Sequence, residues 1–402
     1  MTLLIDNNRR PRRKNRKGNE MANLRRASTL MIGLKRTAVV LASSVLFISA
    51  ARVEASGTTE PPDSTAPTES TEGTDAGAIA EPPAPFSDGE VQIALVQNSG
   101  AGDYFQQWTS GAQEQSALVG IELQVYDAQA DNARQVTDME TAISSGVDGI
   151  IVDHGQADTM CPLIVEATEA GIPVVVYDIE ITECAPDAVE TAQSDADLAT
   201  LVLTQMLDDQ GGDIPVGYVN VLGIAPLDRR DVVWQEFVEE NNWDQQFFVG
   251  EFTNAVATDN AQLVDAALKA NPDVVAIFAP YDELTKGTVT AIIQNEMESQ
   301  VAAYGIDISN ADIEVMTATD SPWKATATTD PTAIGAGVVR TMALELAGQQ
   351  DSREVVFPGV LVTQQFLIDN EITNMDVLRA TLPELDLADV SSADWIQSLT
   401  FG

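Results

Sequence analysis

Residues 171–184 read GIPVVVYDIEITEC, and this stretch decides the fold. Positions 173–176 are a short apolar run after a glycine, which suits a strand buried on both faces. The run then meets Tyr177 and Asp178, followed by Glu180 and Cys184. One reading is ordinary: strands end, and acids favour loops. The sharper reading is that in a parallel sheet the carboxyl edge of a strand is where a ligand is held. The sequence around the stretch separates the two.

Outward from this strand the pattern alternates with little interruption. QIALVQ (92–97), IELQVYD (121–127) and GIIVDH (149–154) read as strands, and helical periodicity fills 104–120, 132–146 and the Cys161 segment up to Gly171. Gly120, Gly146 and Gly171 are the expected helix stops. After VETAQS a second series begins, with strands at VGYVNVL, QQFFVGEF, VVAIFAP and QVAAYGID and helices between them. Such alternation implies parallel sheets wrapped by helices. Two similar series predict an α/β protein of two doubly wound lobes, with a single eight-fold barrel as the alternative.

Composition narrows the partners. Of the 21 Lys and Arg, 12 lie in residues 1–55, with 3 of the 62 Asp and Glu, so residues 56–402 hold 9 basic and 59 acidic side chains. That surface repels nucleic acid and anionic membranes, and neither is expected as a partner. From Met31 the chain shows a basic Lys35-Arg36 start, an apolar run to Ala51, and small residues at Val53 and Ala55. This is the pattern of an export signal near residues 31–55. The apolar run is short for a membrane span. No cysteine follows it, so lipid attachment is not expected. The protein is expected outside the cytoplasm, periplasmic or extracellular. Residues 56–90 are rich in Pro, Thr, Ser and Glu and read as a disordered tether.

The only cysteines are Cys161 and Cys184, and there is one histidine. A Cys/His zinc site is therefore not expected. In an oxidising compartment the two cysteines would staple a helix to the loop after the 173–176 strand. Unpaired thiols are the other reading.

Residues after the strand ends are the candidate site. Asn98, Tyr104 and Phe105 follow the first strand and Asp178 the fourth. Arg229 and Arg230 follow VGYVNVL and are read as the start of a helix. Tyr281 and Asp282 follow VVAIFAP, and Asp307 follows QVAAYGI. No Ser–His–Asp set and no phosphate loop is present, and Gly100–Gly102 lacks the third glycine of a dinucleotide fingerprint. No cofactor is expected. Acids, an amide, arginine and aromatic faces suit a polyhydroxylated ligand: carboxylates accept from neighbouring hydroxyls, Arg and Asn donate, and rings pack on C–H faces. Arg230, expected at a helix start among acids, is expected to hold their pKa values down. His154, Trp108, Trp234 and Trp323 read as packing residues.

At these residues the chain resembles the ribose-binding-like periplasmic sugar-binding proteins of ABC transporters. IALVQNSGAGDYFQQWTSGAQ (93–113), VVVYD, RRDVVW, NPDVVAIFAPYDEL (271–284) and YGID carry the resemblance, which covers about residues 91–365. It implies two lobes joined by a hinge, the first of 91–194 and 330–358, the second of 195–329 and 359–402. A sugar would bind between them and pass to an ABC permease, and no reaction would be catalysed. The resemblance implies a monomer, and it puts Asn98, Tyr104, Phe105, Asp178, Arg230, Tyr281, Asp307 and Thr329 against the ligand. Gly102, Ile179, Tyr281 and Ile306 depart from the ribose pattern, so ribose itself is not implied. The spacing of Cys161 and Asp178 also resembles the autoinducer-binding branch, which has Asp-Gln where this chain has Arg230-Asp231. A sensor subunit for a signalling receptor and a secreted carbohydrate-active enzyme are the alternatives.

Overall fold

The structure, a computed structural model, describes residues 79–400. The expected export signal at 31–55 and residues 56–78 of the expected tether lie outside the described residues. The first lobe opens with β1 (Val91–Gln97), α1 (Asp103–Val119), β2 (Ile121–Asp127), α2 (Asn132–Ser145), β3 (Gly149–Asp153), α3 (Ala157–Glu169), β4 (Val174–Tyr177) and β5 (Val189–Gln193). The second holds α4 (Asp195–Gln210), β6 (Pro215–Val219), α5 (Ala225–Glu240), β7 (Asp244–Val249), α6 (Val256–Ala270), β8 (Ala276–Ala279), α7 (Asp282–Gln294), β9 (Ala302–Ile306), α8 (Asn310–Thr317) and β10 (Trp323–Thr328). The chain then returns as α9 (Pro331–Leu346) and β11 (Glu354–Phe357), crosses again to β12 (Val360–Thr363) and α10 (Gln364–Asp369), and ends with α11 (Met375–Thr381) and a short 3-10 turn.

Two six-stranded sheets result, ordered β11-β5-β4-β3-β1-β2 and β12-β10-β9-β8-β6-β7. Both are open, so the barrel alternative is excluded. Every neighbouring pair in the first sheet is parallel. The second is parallel except where β12 runs against β10, which the apolar pattern did not disclose. Every residue of β3 and β4 is buried. Helices cover both faces, as an unbroken apolar run demands. α4 packs on the second sheet and α9 on the first, so the chain passes between lobes at 194, 329–330 and 358–359, and once more after α11, where the tail from Leu387 returns to α9.

Helix ends follow local chemistry. Gly120 and Gly146 close α1 and α2 in the left-handed region, at φ 77 and 79. Asp131 caps α2 by accepting from the N–H groups of Ala133 and Arg134. The tightest helix pair is α1 on α9. A Cβ on Gly111 would lie 2.0 Å from the Thr332 carbonyl oxygen, and one on Gly335 2.0 Å from that of Trp108. The two backbones touch because neither glycine has a side chain.

The tail returns to the same pair of helices. Buried Arg340 on α9 donates to the carbonyls of Leu387 (2.6 Å) and Val390 (3.0 Å) and to Gln115 Oε1 (3.1 Å). Gln115 in turn accepts from the Leu399 N–H and donates to the Gln397 carbonyl. At the near end of the chain, Phe86 packs on Trp395 with centroids 5.0 Å apart, and the Ala80 N–H donates to the Asp394 carbonyl. Phe86 is the one bulky apolar side chain of the 56–90 stretch besides the exposed Ile79, and it holds residues 79–90 on the tail. No helix among the described residues is long and apolar enough to cross a membrane.

Candidate functional site

The carboxyl ends of both sheets face one cavity of about 440 Å³. The first lobe supplies Asn98 after β1, Tyr104 and Phe105 in the first turn of α1, His154 after β3, and Gln193 at the end of β5. The second supplies the loop after β6 (Val221, Leu222, Ile224), Arg230 of α5, Phe252 beyond β7, and Tyr281 and Asp307 after β8 and β9. Three of the residues just past strand ends have positive φ: His154 (55), Asp178 (55) and Asp307 (76). Each still donates its N–H to the neighbouring strand, to Tyr177, Thr191 and Ala327 respectively. The ladder therefore continues while the left-handed turn re-aims the side chain, a strain of about 1–3 kcal/mol per residue that recurs at functional sites.

Beneath the cavity two arginines and three aspartates interlock. Asp195 bridges both arginines, accepting from Arg229 Nε and Arg230 Nε at 2.7 Å each. Arg229 Nη2 reaches Asp178 Oδ1 at 2.6 Å, across from the second lobe to the first. Arg230 Nη1 donates to the Pro280 carbonyl (2.6 Å) and lies 3.5 Å from Asp307 Oδ2. Asp178 Oδ2 and Asp307 Oδ1 are buried with no hydrogen-bond partner. His154 is oriented by Asp153, which lies 2.6 Å from its Nδ1, and its Nε2 sits 3.8 Å from Asp178 Oδ2. Tyr104 and Tyr177 hydrogen-bond through their hydroxyls.

Burial dominates the electrostatics. It pushes the Asp178 carboxyl up to about 6, helped by Asp195 and opposed by His154, Arg229 and Arg230. Burial also raises Asp307, against the pull of Arg230. Arg230 does pull both acids down, as expected, but desolvation of a fully enclosed carboxylate outweighs the cations around it, so both stay above their ordinary value. Burial alone would lower His154, but Asp153 and Asp178 raise it on balance.

Of the expected site residues, Asn98, Tyr104, Phe105, Arg230, Tyr281 and Asp307 come together on the cavity wall. The Asn98 amide nitrogen is held by Asn132 Oδ1 and Gln135 Oε1, at 2.9 and 2.8 Å. Asp178 lies behind the wall with its free oxygen. Thr329 stands behind Gln193, donating to its Oε1 at 2.7 Å. Asp282 is not on this wall: it is buried beside Lys286, 3.6 Å from Nζ. Arg230 is not at a helix start either, because α5 begins at Ala225, so it lies beyond the first turn, where the helix dipole would oppose a cation. His154, read as a packing residue, lines the cavity, whereas Trp108, Trp234 and Trp323 are wholly buried. Gln193, Asp195 and Phe252 were not anticipated. The signal for Gln193 was available, since it ends a strand in VETAQS. Cys161 and Cys184 are joined, with Cα atoms 5.9 Å apart, and tie α3 to the loop that follows Asp178.

Residues 93–350 match the periplasmic binding protein domain family. Among curated relatives, the ribose import binding protein of Bacillus subtilis (strain 168) is 23% identical over 279 residues, covering 69% of this chain and 88% of that protein. That of Escherichia coli (strain K12) is 25% identical over 281 residues, covering 68% and 90%. Among solved structures, the 5-methylthioribose transporter solute-binding protein of Thermotoga lettingae TMO, in complex with 5-methylthioribose, superposes with TM-score 0.74 at 37% identity, covering 76% of this chain and 97% of that one. A sugar ABC transporter protein of Yersinia enterocolitica superposes with TM-score 0.76 at 27% identity, covering 80% and 98%.

Proposed function

The chain belongs to the periplasmic binding protein domain family, and from that premise we propose that it captures a small neutral sugar between its lobes and delivers it to an ABC permease. It acts as an exported monomer and catalyses no reaction. The export signal is the 31–55 segment. The first lobe comprises the β11-to-β2 sheet with α9 and the tail from Leu387, and the second comprises the β12-to-β7 sheet. Cleft residues are Asn98, Tyr104, Phe105, Asp178, Arg230, Tyr281 and Asp307, joined by His154 and Gln193.

The observation that carries this reading is Asp307 Oδ1, a buried carboxylate oxygen without a hydrogen-bond partner on a residue of the cavity wall, with Asp178 Oδ2 likewise unpartnered behind His154. A buried acceptor left unpaired costs about 1–3 kcal/mol, and sugar hydroxyls supply the missing donors. The arginines do not make the site anionophilic, because Asp178, Asp195 and Asp307 offset them. A phosphorylated sugar is therefore excluded.

Val221, Leu222, Ile224 and Phe252 wall the side of the cavity formed by β6 and β7, at the edge of the second sheet. They favour a pentose bearing a compact apolar substituent that points towards this edge. The relatives named for ribose import and the similar protein solved with 5-methylthioribose support a pentose of this kind. Burying a methylthio group adds about 1.5 kcal/mol, roughly tenfold in affinity. Calorimetric titration with D-ribose, 5-methylthioribose and ribose 5-phosphate tests the reading. Binding is expected in the order 5-methylthioribose, then ribose, with none for the phosphate. Tightest binding to the phosphate overturns the neutral-sugar reading, and equal affinity for the two neutral sugars overturns the apolar side.

A further inference from the structure

A second charged cluster lies outside the cavity. Lys286 Nζ is 2.7 Å from Asp103 Oδ2 and 2.7 Å from Glu283 Oε1, with Asp312 Oδ1 at 3.5 Å and Asp282 Oδ2 at 3.6 Å. Asp282, Glu283 and Asp312 belong to the second lobe, as Lys286 does. Asp103 alone belongs to the first. Asp282 Oδ2 and both oxygens of Asp312 are buried with no hydrogen-bond partner. Burial raises Asp282 well above the usual carboxylate range and Asp312 to about 6. Lys286 is the cation facing them, in a region where 9 basic residues serve 59 acidic ones.

The cluster sits where the lobes touch away from the hinge. The passages at 194, 329–330 and 358–359 leave from β5, β10 and β11, at one edge of each sheet. Asp103 and Lys286 follow β1 and β8, further towards the opposite edges. Gly102, at φ +93, brings first-lobe backbone against the second lobe: a Cβ there would be 3.2 Å from the Tyr281 hydroxyl and 3.4 Å from Glu283. The Ser309 hydroxyl also points at Asp103, at 3.5 Å.

We propose that Asp103 and Lys286 are a positioning pair for ligand capture, a charge clasp across the cleft that sets Tyr104 and Phe105 of one lobe in register with Tyr281 of the other. Asp103 directly precedes the two first-lobe aromatics, and Lys286 lies on the helix that Tyr281 precedes. The Phe105 and Tyr281 rings meet edge-on across the cleft, with centroids 6.4 Å apart. The remaining acids keep Lys286 charged: burial alone would lower it, but Asp282 and Asp312 raise it. They also keep it anchored on its own lobe, so the Asp103 contact is the one that breaks when the lobes part.

The test is small-angle scattering of the whole protein without any sugar, so it stands or falls separately from the proposed function. Asp103 is the first residue of α1 with a side chain 39% exposed, and removing its charge leaves the buried cluster intact. Asp103→Asn is expected to enlarge the radius of gyration, while Asp103→Glu, which keeps the charge, overlays on wild type. Asp103→Ser serves as a second neutral variant, with circular dichroism confirming the fold of whichever neutral variant is used. Neutral variants that scatter as wild type does overturn the clasp. So does an expansion in Asp103→Glu equal to theirs, which makes the effect one of side-chain shape rather than charge.

Discussion

Asp178 carries opposing demands. Its strand delivers it to the interior, Arg229 takes one oxygen, and the other oxygen has no protein donor. Burial lifts its carboxyl from the ordinary 3.8 to about 6. A raised carboxyl binds its proton more tightly folded than unfolded, so its ionisation costs stability above pH 6, and that cost vanishes below pH 4. Asp178→Asn is therefore expected to stabilise the sugar-free protein at pH 8, by about 1–3 kcal/mol, and to have little effect at pH 4. Thermal unfolding at the two pH values checks the sign. The same substitution should abolish binding of 5-methylthioribose or ribose in calorimetry, because an ionised acceptor becomes an amide. If Asp178 accepts from sugar hydroxyls as a carboxylate, wild-type affinity weakens as pH falls through about 6.

At the scale of elements, the α1–α9 contact has the least tolerance. A methyl on Gly335 would meet the Trp108 carbonyl oxygen at 2.0 Å. That atom is helix backbone and does not rotate away, so the helices must separate. Gly335→Ala should cost about 1–3 kcal/mol or more as overpacking, although alanine is the better helix former. Urea unfolding showing a stability equal to wild type would contradict this packing. The Cys161–Cys184 bridge acts on a different link, joining α3 to the loop that follows Asp178. Cys161→Ser with Cys184→Ser should lower stability by about 3 kcal/mol in the chain-entropy account. Sugar affinity should fall as well, because the loop carrying Glu180, an interlobe contact of Arg229, loses its tether.

The whole molecule is governed by its charge. With 59 acidic and 9 basic side chains after residue 55, the compact state is destabilised by self-repulsion. The melting temperature should rise as sodium chloride increases from about 10 mM to 150 mM, where the screening length contracts from about 30 Å to 8 Å. A melting temperature that falls with salt would mean that the surface ion pairs outweigh the repulsion. Four of the nine basic residues hold buried or interlobe positions. Arg229 and Arg230 bind the acids under the cavity, Lys286 spans the lobes, and Arg340 fastens the tail to the first lobe.

The sequence by itself determined the layered fold. Unbroken apolar runs such as VVVY, alternating with helical periodicity, leave little but parallel sheets between helices, and both-face burial of β3 and β4 follows directly. It also marked Asp178, Tyr104, Phe105 and Asp307 by their place after strands, and the two cysteines by their isolation. These are local signals, because periodicity and strand ends are written over a few residues. Only the tertiary structure decided which charge meets which. Arg229 rather than Arg230 pairs with Asp178, 51 residues away in sequence. Asp282 and Asp307 both follow second-lobe strands, yet one faces Lys286 and the other the cavity. The upward shift of the buried acids belongs here too: desolvation sums over every atom that excludes water, from elements hundreds of residues apart, and no motif records it. The tail's return to Arg340 and the reversed β12 rest on long-range packing for the same reason.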